Sequence, residues 1–290
     1  MTVPKIGIYE KAFSSALGWE ERLETAVSLH FDFMEIAIDA TPERLSRLDW
    51  SPTQRASLRK AINNTGIPIY NIVLSAHRTY PLGSASPTIR RQARNILKKA
   101  IDFAVDIGIR VIQLAGYYVF DEPHHPQTRE RFCKGLQQGV YWASQAGVML
   151  GLENMDGEDI LSLDTAMEFI RAAQSPWLKL YPDIGNLSAN HLDVCTQLQL
   201  SKNHIIGIHL KDTTPGSFRR VQFGNGTVPF ADAFQTLANM NYSGPFTLEM
   251  WNDNAPDAIQ IVATSKDWIL NKMKAGSLIN VEEEGGMPMT

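Results

Sequence analysis

Ile205-Ile206-Gly207-Ile208-His209-Leu210-Lys211-Asp212 is an aliphatic run of strand length that ends in three polar, chemically capable side chains. A short run of β-branched residues bounded by polar ones suits a parallel strand covered on both faces, and in α/β folds active-site groups cluster at the carboxyl ends of such strands. The pattern recurs: Gly147-Val148-Met149-Leu150-Gly151-Leu152 leads into Glu153, Trp177-Leu178-Lys179-Leu180-Tyr181 leads through Pro182 into Asp183, and Gly244-Pro245-Phe246-Thr247-Leu248 leads into Glu249. Four apolar runs therefore end in Glu, Asp, His and Glu.

Upstream, residues 5–10, 33–38, 67–74 and 109–115 read as four earlier strands, and helical spacing follows each of them at 19–30, 51–64, 86–107 and 128–146. Pro52 and Pro87 suit first helical turns, and Gly66, Gly108 and Gly147 follow last ones. Downstream, Ser162 caps a helix that Pro176 stops, and further helices are expected near 191–200, 229–240 and 257–274. The chemical residues step by 30 from 153 to 183, by 26 to 209 and by 40 to 249, the last step carrying an insertion at 213–228. Such steps approximate one βα unit of ~30 residues. Eight strand-helix units predict an α/β fold, a single-domain (β/α)₈ TIM barrel over residues 1–275, with its active site at the carboxyl ends of the strands. Residues 276–290, with an acidic run and no periodicity, are expected to form a mobile tail.

Composition excludes several classes. With 290 residues, 44% of them hydrophobic, the chain has enough apolar material for a large core. Its 27 Lys and Arg against 31 Asp and Glu give a net charge of −4, without the basic stripe that a nucleic-acid partner requires. Cys133 and Cys195 form no CxxC and read as packed thiols. The first nine residues lack the n- and h-regions of a signal peptide, and no apolar run approaches the ~18 residues of a membrane span. A cytoplasmic protein with no membrane partner is expected.

If the barrel closes, Glu153, Asp183, His209 and Glu249 sit at one mouth and converge. Each alone more often reads as a helix cap or a solvated loop charge. Together, three carboxylates and an imidazole in a partly buried site repel unless a cation neutralises them, so a divalent metal ion is expected. Three oxygen donors and one nitrogen favour Mn²⁺ or Mg²⁺, with Co²⁺ and Zn²⁺ remaining open.

Leu152-Glu153-Asn154-Met155-Asp156, Tyr181-Pro182-Asp183-Ile184-Gly185-Asn186, His209-Leu210-Lys211-Asp212, Phe223-Gly224-Asn225-Gly226 and Leu248-Glu249-Met250-Trp251 resemble the sugar-phosphate 3-epimerases of L-ascorbate utilisation, within the xylose-isomerase-like barrels. Gly7-Ile8-Tyr9-Glu10-Lys11-Ala12 and Leu74-Ser75-Ala76-His77-Arg78 extend the resemblance over nearly the whole chain apart from the tail. It implies C3 epimerisation of L-xylulose 5-phosphate to L-ribulose 5-phosphate through an enediolate. It also implies Glu153, Asp183, His209 and Glu249 as ligands of a metal ion, Mn²⁺ first, with Glu153 and Glu249 as the catalytic proton carriers. Asn186 is expected at a sugar hydroxyl, and a homodimer is implied. One departure is Asn154, where an aliphatic residue is expected.

For the sugar phosphate, the loop after strand seven offers Lys211, Arg219, Arg220 and Gly224-Asn225-Gly226, and the loop after strand three offers His77 and Arg78. Trp251, two residues after Glu249, is expected to wall the substrate pocket, whereas Trp19, Trp50, Trp142, Trp177 and Trp268 read as helix-packing residues. Three rivals stand beside this reading: an epimerase, isomerase or dehydratase of an unphosphorylated ketose or inosose, a repair endonuclease on the same barrel, and a non-catalytic sugar-binding barrel.

Overall fold

Eight parallel strands form one sheet in a computed structural model that describes residues 4–251 and 255–279. They are β1 (Ile6–Tyr9), β2 (Phe33–Ile38), β3 (Ile69–Leu74), β4 (Val111–Ala115), β5 (Met149–Glu153), β6 (Leu178–Leu180), β7 (Ile208–Leu210) and β10 (Phe246–Leu248). The two remaining strands, β8 (Asp212–Thr214) and β9 (Ser217–Val221), pair antiparallel as a separate hairpin. The sheet order is β6-β5-β4-β3-β2-β1-β10-β7. Parallel bridges Leu180↔Ile205 and Asp183↔His209 join the two ends, so the sheet closes on itself as the (β/α)₈ barrel expected from the sequence. Most of the expected tail, residues 280–290, lies outside the described residues. Among the described residues no helix is long and apolar enough to cross a membrane.

Local sequence explains the helix boundaries. Ser51 caps Pro52–Thr65, accepting from the Gln54 amide at 3.3 Å while its own amide donates to Gln54 Oε1 at 2.9 Å. Ser86 and Ser162 cap Pro87–Ile107 and Leu163–Ala173 in the same sense. Gly66, Gly108 and Gly147 take left-handed φ values of 73°, 91° and 67° as C-caps, a region where a Cβ is costly. The five tryptophans expected to pack helices, Trp19, Trp50, Trp142, Trp177 and Trp268, lie partly buried against the core between sheet and helices. Glu10, just after β1, is buried beside Arg22 at 3.1 Å and Arg47 at 2.5 Å, which fastens the end of β1 to the helices outside it.

Two local elements depart from the expected plan. The insertion at 213–228 contains the β8–β9 hairpin rather than an irregular loop, and Ile184–Ala189 forms a short helix directly after the sixth strand. Asp183 caps that helix, its Oδ1 accepting from the Asn186 amide at 2.9 Å. Inside the barrel the wide ring of Tyr181 fills the lumen opposite two glycines. A Cβ at Gly207 would lie 2.6 Å from ring atoms, and one at Gly151 would lie 3.0 Å away.

Candidate active site

The four strand-end residues meet at the carboxyl end of the barrel. One ligand-type atom from each of Glu153, Asp183, His209 and Glu249 lies within 4.8 Å of the others. His209 is fully buried, with Nδ1 2.8 Å from Glu153 Oε1 and 4.0 Å from Glu249 Oε2. The amide of Gln113, on β4, donates to Glu153 Oε2. Above them opens a cavity of about 150 Å³ whose lining includes Glu153, Glu249, Gln113, Lys211, Arg219 and Trp251. Asp183 and His209 sit beneath the two glutamates, so the two acids face any ligand in the cavity.

Burial and charge pull these groups apart. Burial is the largest influence on Asp183 and pushes its carboxyl up to about 7, only partly offset by the Lys211 ammonium. Burial also raises Glu153, against the opposing pull of His209. Glu249 ends at about 2: burial alone would raise it, but Lys211 and His209 together outweigh that. His209 is raised well above the usual imidazole range, because Glu35, Glu153 and Glu249 overcome the effect of burial. The donor set fits a divalent cation. Three carboxylates and an imidazole surround one point, and the buried Asp183 Oδ2 accepts no aligned hydrogen bond although the Lys211 ammonium lies 2.6 Å from it.

Asn154, the departure noted in the sequence, clamps this geometry. Its side chain accepts from the Asp183 amide at 2.9 Å and donates to the Asp183 carbonyl at 3.0 Å, which fixes the sixth strand end against the fifth. An aliphatic residue could make neither bond. Asn186 is buried just below, its Nδ2 donating to the Asn154 carbonyl at 2.8 Å while its Oδ1 has no protein partner. It does not line the cavity.

The residues expected to hold phosphate divide. Arg219 lines the cavity, and so does Arg78, from the loop after strand three. Both reach Asp156: Arg219 Nη2 lies 3.0 Å from its Oδ2, and Arg78 Nη2 lies 3.9 Å from its Oδ1. Lys211 lines the cavity too, but its buried ammonium is engaged with Asp183 at 2.6 Å and Glu249 Oε2 at 3.1 Å. Arg220 lines an adjoining hollow that shares Lys211, Glu249 and Trp251 with the cavity. The Gly224-Asn225-Gly226 turn is not a free anion cradle. Its Gly224 and Gly226 amides donate to the buried Asp212 Oδ2 at 2.8 and 2.9 Å, so Asp212 already occupies the donors a phosphate would need. Trp251 lines the cavity, its ring edge-on to Tyr9 at 6.1 Å.

His77 stands apart from the cavity. Its ring is buried with Nε2 3.2 Å from the Ala93 carbonyl, so the expected substrate contact does not face the cavity, which its neighbour Arg78 lines instead. Burial lowers its pKa from 6.5 to about 4. The unfolded chain therefore takes up a proton that the fold refuses, so stability is complete above pH 6.5 and falls as pH drops towards 4. At ~1.4 kcal/mol per pKa unit the loss is about 3 kcal/mol by pH 4. Urea unfolding of His77→Gln is expected to show a shallower acid slope than wild type between pH 7 and 4.5; parallel slopes would exclude this origin.

Sequence reading missed Glu35, Gln113, Tyr117 and Asp156. Glu35 is an acid in the middle of the otherwise apolar Phe33–Ile38 strand, buried along its whole length, and that anomaly was the available signal. Gln113 is a similar polar interruption in β4. Tyr117 donates to Asp156 Oδ1 and receives Arg78 at 3.2 Å, a pairing across loops that spacing alone does not announce.

The family model described as xylose isomerase-like TIM barrel matches residues 23–272. The chain is 48% identical over 272 residues to L-ribulose-5-phosphate 3-epimerase UlaE of Escherichia coli O157:H7, covering 93% of this chain and 96% of that one. It is 47% identical, with the same coverage, to the protein of that name in Escherichia fergusonii. Among solved structures, an L-ribulose 3-epimerase superposes with a TM-score of 0.78 at 17% identity, covering 98% of this chain and 100% of that one. D-psicose 3-epimerase from Clostridium cellulolyticum H10 superposes with a TM-score of 0.78 at 16% identity, covering 93% and 99%. At such identities the superpositions speak for the barrel alone.

Proposed function

The chain belongs to the xylose isomerase-like TIM barrel family and, within it, to the L-ribulose-5-phosphate 3-epimerases, and from that premise we propose that it is a divalent-metal-dependent isomerase inverting C3 of a ketopentose 5-phosphate, L-xylulose 5-phosphate to L-ribulose 5-phosphate. The observation that carries this reading is the convergence of Glu153, Asp183, His209 and Glu249 within 4.8 Å, with both glutamates facing one cavity. These four residues would hold the ion, Mn²⁺ first, with Mg²⁺, Co²⁺ and Zn²⁺ as the other candidates. Bound there, it supplies Lewis-acid stabilisation for the negative charge that develops on substrate oxygen.

Glu153 comes from β5 and Glu249 from the end of β10, so the two carboxylates approach the cavity from different arcs of the barrel. One removes the C3 proton and the other returns a proton to the opposite face of the planar enediolate, which inverts C3. In the reverse direction the roles exchange, so each glutamate is acid once and base once. Gln113 orients Glu153, and Lys211 orients Glu249 while holding it ionised.

The mouth supports an anionic substrate. Arg78 and Arg219 line it and share the single carboxylate of Asp156, leaving one positive charge over for a phosphate. Arg219→Ala is expected to raise KM for L-xylulose 5-phosphate about tenfold, the scale of one charged hydrogen bond, with kcat little changed. Lys211→Met should do the reverse, because its ammonium acts on the carboxylates: kcat falls and KM moves less. Steady-state kinetics on both variants, with free L-xylulose as the paired substrate, test this. Unchanged KM for the phosphorylated sugar in Arg219→Ala would move the phosphate off this residue. The homodimer implied by the resemblance belongs to the same reading and is read by light scattering.

A further inference from the structure

Glu35 takes no part in the cavity, yet it is fully buried in the barrel lumen within hydrogen-bond reach of a proposed metal ligand. Its Oε2 lies 3.0 Å from His209 Nε2. Its Oε1 accepts from the Tyr181 hydroxyl and from Thr247 Oγ1, both at 2.6 Å. The Tyr181 ring in turn stands edge-on to the His209 imidazole, centroids 4.8 Å apart at 62°. Strands β2, β7 and β10, together with Tyr181 just beyond β6, therefore hold one carboxylate and one imidazole in a single arrangement.

We propose that Glu35 is a positioning residue that fixes the ring orientation of His209 and keeps a proton on Nε2, so that Nδ1 is the nitrogen that would ligate an ion held with Glu153, Asp183 and Glu249. The argument is geometric and rests on the proposed metal site. Nδ1 is the nitrogen that faces the cluster; at 2.8 Å it donates to Glu153 Oε1 in the metal-free chain, a proton that an incoming ion would displace. Once Nδ1 has given up that proton to ligate an ion, the remaining proton must sit on Nε2, and a buried N–H needs an acceptor. Glu35 Oε2 is that acceptor, and the Tyr181 and Thr247 hydroxyls hold the carboxylate in line. A carboxylate behind a ligating histidine fixes the ring and strengthens the ligand, and its loss typically costs 10–100-fold in metal affinity.

The test is a chelator competition for Co²⁺ on wild type, Glu35→Gln and Thr247→Val, with the Co²⁺ visible spectrum and the thermal midpoint of the metal-free proteins recorded alongside. Glu35→Gln is isosteric and is expected to bind Co²⁺ 10–100-fold more weakly with an altered ligand-field spectrum. Thr247→Val keeps the carboxylate and loses one of its donors, so a few-fold loss is expected. A wild-type spectrum and affinity in Glu35→Gln would overturn the assignment while leaving the metal site standing. Failure of wild type itself to bind Co²⁺, Mn²⁺ or Zn²⁺ would overturn the metal site and this assignment together. Equal losses of metal-free thermal stability and of affinity in both variants would reduce Glu35 to a structural role and also overturn it.

Discussion

Glu153→Gln and Glu249→Gln are each expected to lower kcat by about 10³-fold or more, within the range of positioned acid–base groups compounded by a weakened metal site. Both side chains face the cavity, and no other carboxylate among its described lining residues could replace either. The amide keeps the shape but neither accepts a proton at C3 nor carries the charge that balances Lys211 and His209. The variants should differ in their second effect. Glu249 is paired with Lys211 at 3.1 Å, so Glu249→Gln leaves a buried ammonium leaning on Asp183 alone and should also destabilise the fold. Glu153 is held by Gln113 and His209, and Glu153→Gln should be nearer neutral in stability. Metal content measured with activity separates a lost proton carrier from a lost ligand. Normal turnover with normal metal in both variants would remove them from the mechanism.

Removing divalent metal with a strong chelator is expected to abolish turnover, and Mn²⁺ to restore it. Three carboxylates brought within 4.8 Å of one another in a buried site repel, and the cations paired with them among the described residues are Lys211 and His209. An ion that binds the folded chain also stabilises it, by about 2.7 kcal/mol at a hundredfold excess over Kd. Differential scanning calorimetry with and without Mn²⁺ therefore provides a readout independent of substrate. Full activity in the chelated protein, with no shift in the thermal midpoint, would rule out the metal reading.

The barrel was legible because its signals are local and repeated: serine caps, glycine stops at Gly66, Gly108 and Gly147, and apolar runs that end in Glu153, Asp183, His209 and Glu249. The β8–β9 hairpin was not, since its second strand, Ser217-Phe218-Arg219-Arg220-Val221, carries no clean apolar alternation and pairs with its neighbour β8. The helix Ile184–Ala189 is too short for a 3.6-residue period to show. In the site, residue type was readable and partnership was not. Lys211 looks like a phosphate hand until Asp183 and Glu249 appear beside it, and Gly224-Asn225-Gly226 looks like an anion nest until Asp212 fills it. His77 shows the same limit from the other side: only the Ala93 carbonyl, on a helix that begins ten residues later, explains why it turns inward.

The central claim is tested most directly by proton exchange at C3, followed by NMR in D₂O with Mg²⁺ in the site and L-xylulose 5-phosphate as substrate, with free L-xylulose in parallel. The account predicts deuterium at C3 together with L-ribulose 5-phosphate, dependent on metal and strong only for the phosphorylated sugar. Absence of exchange with either sugar, under Mg²⁺ and under Mn²⁺ removed before observation, would contradict it.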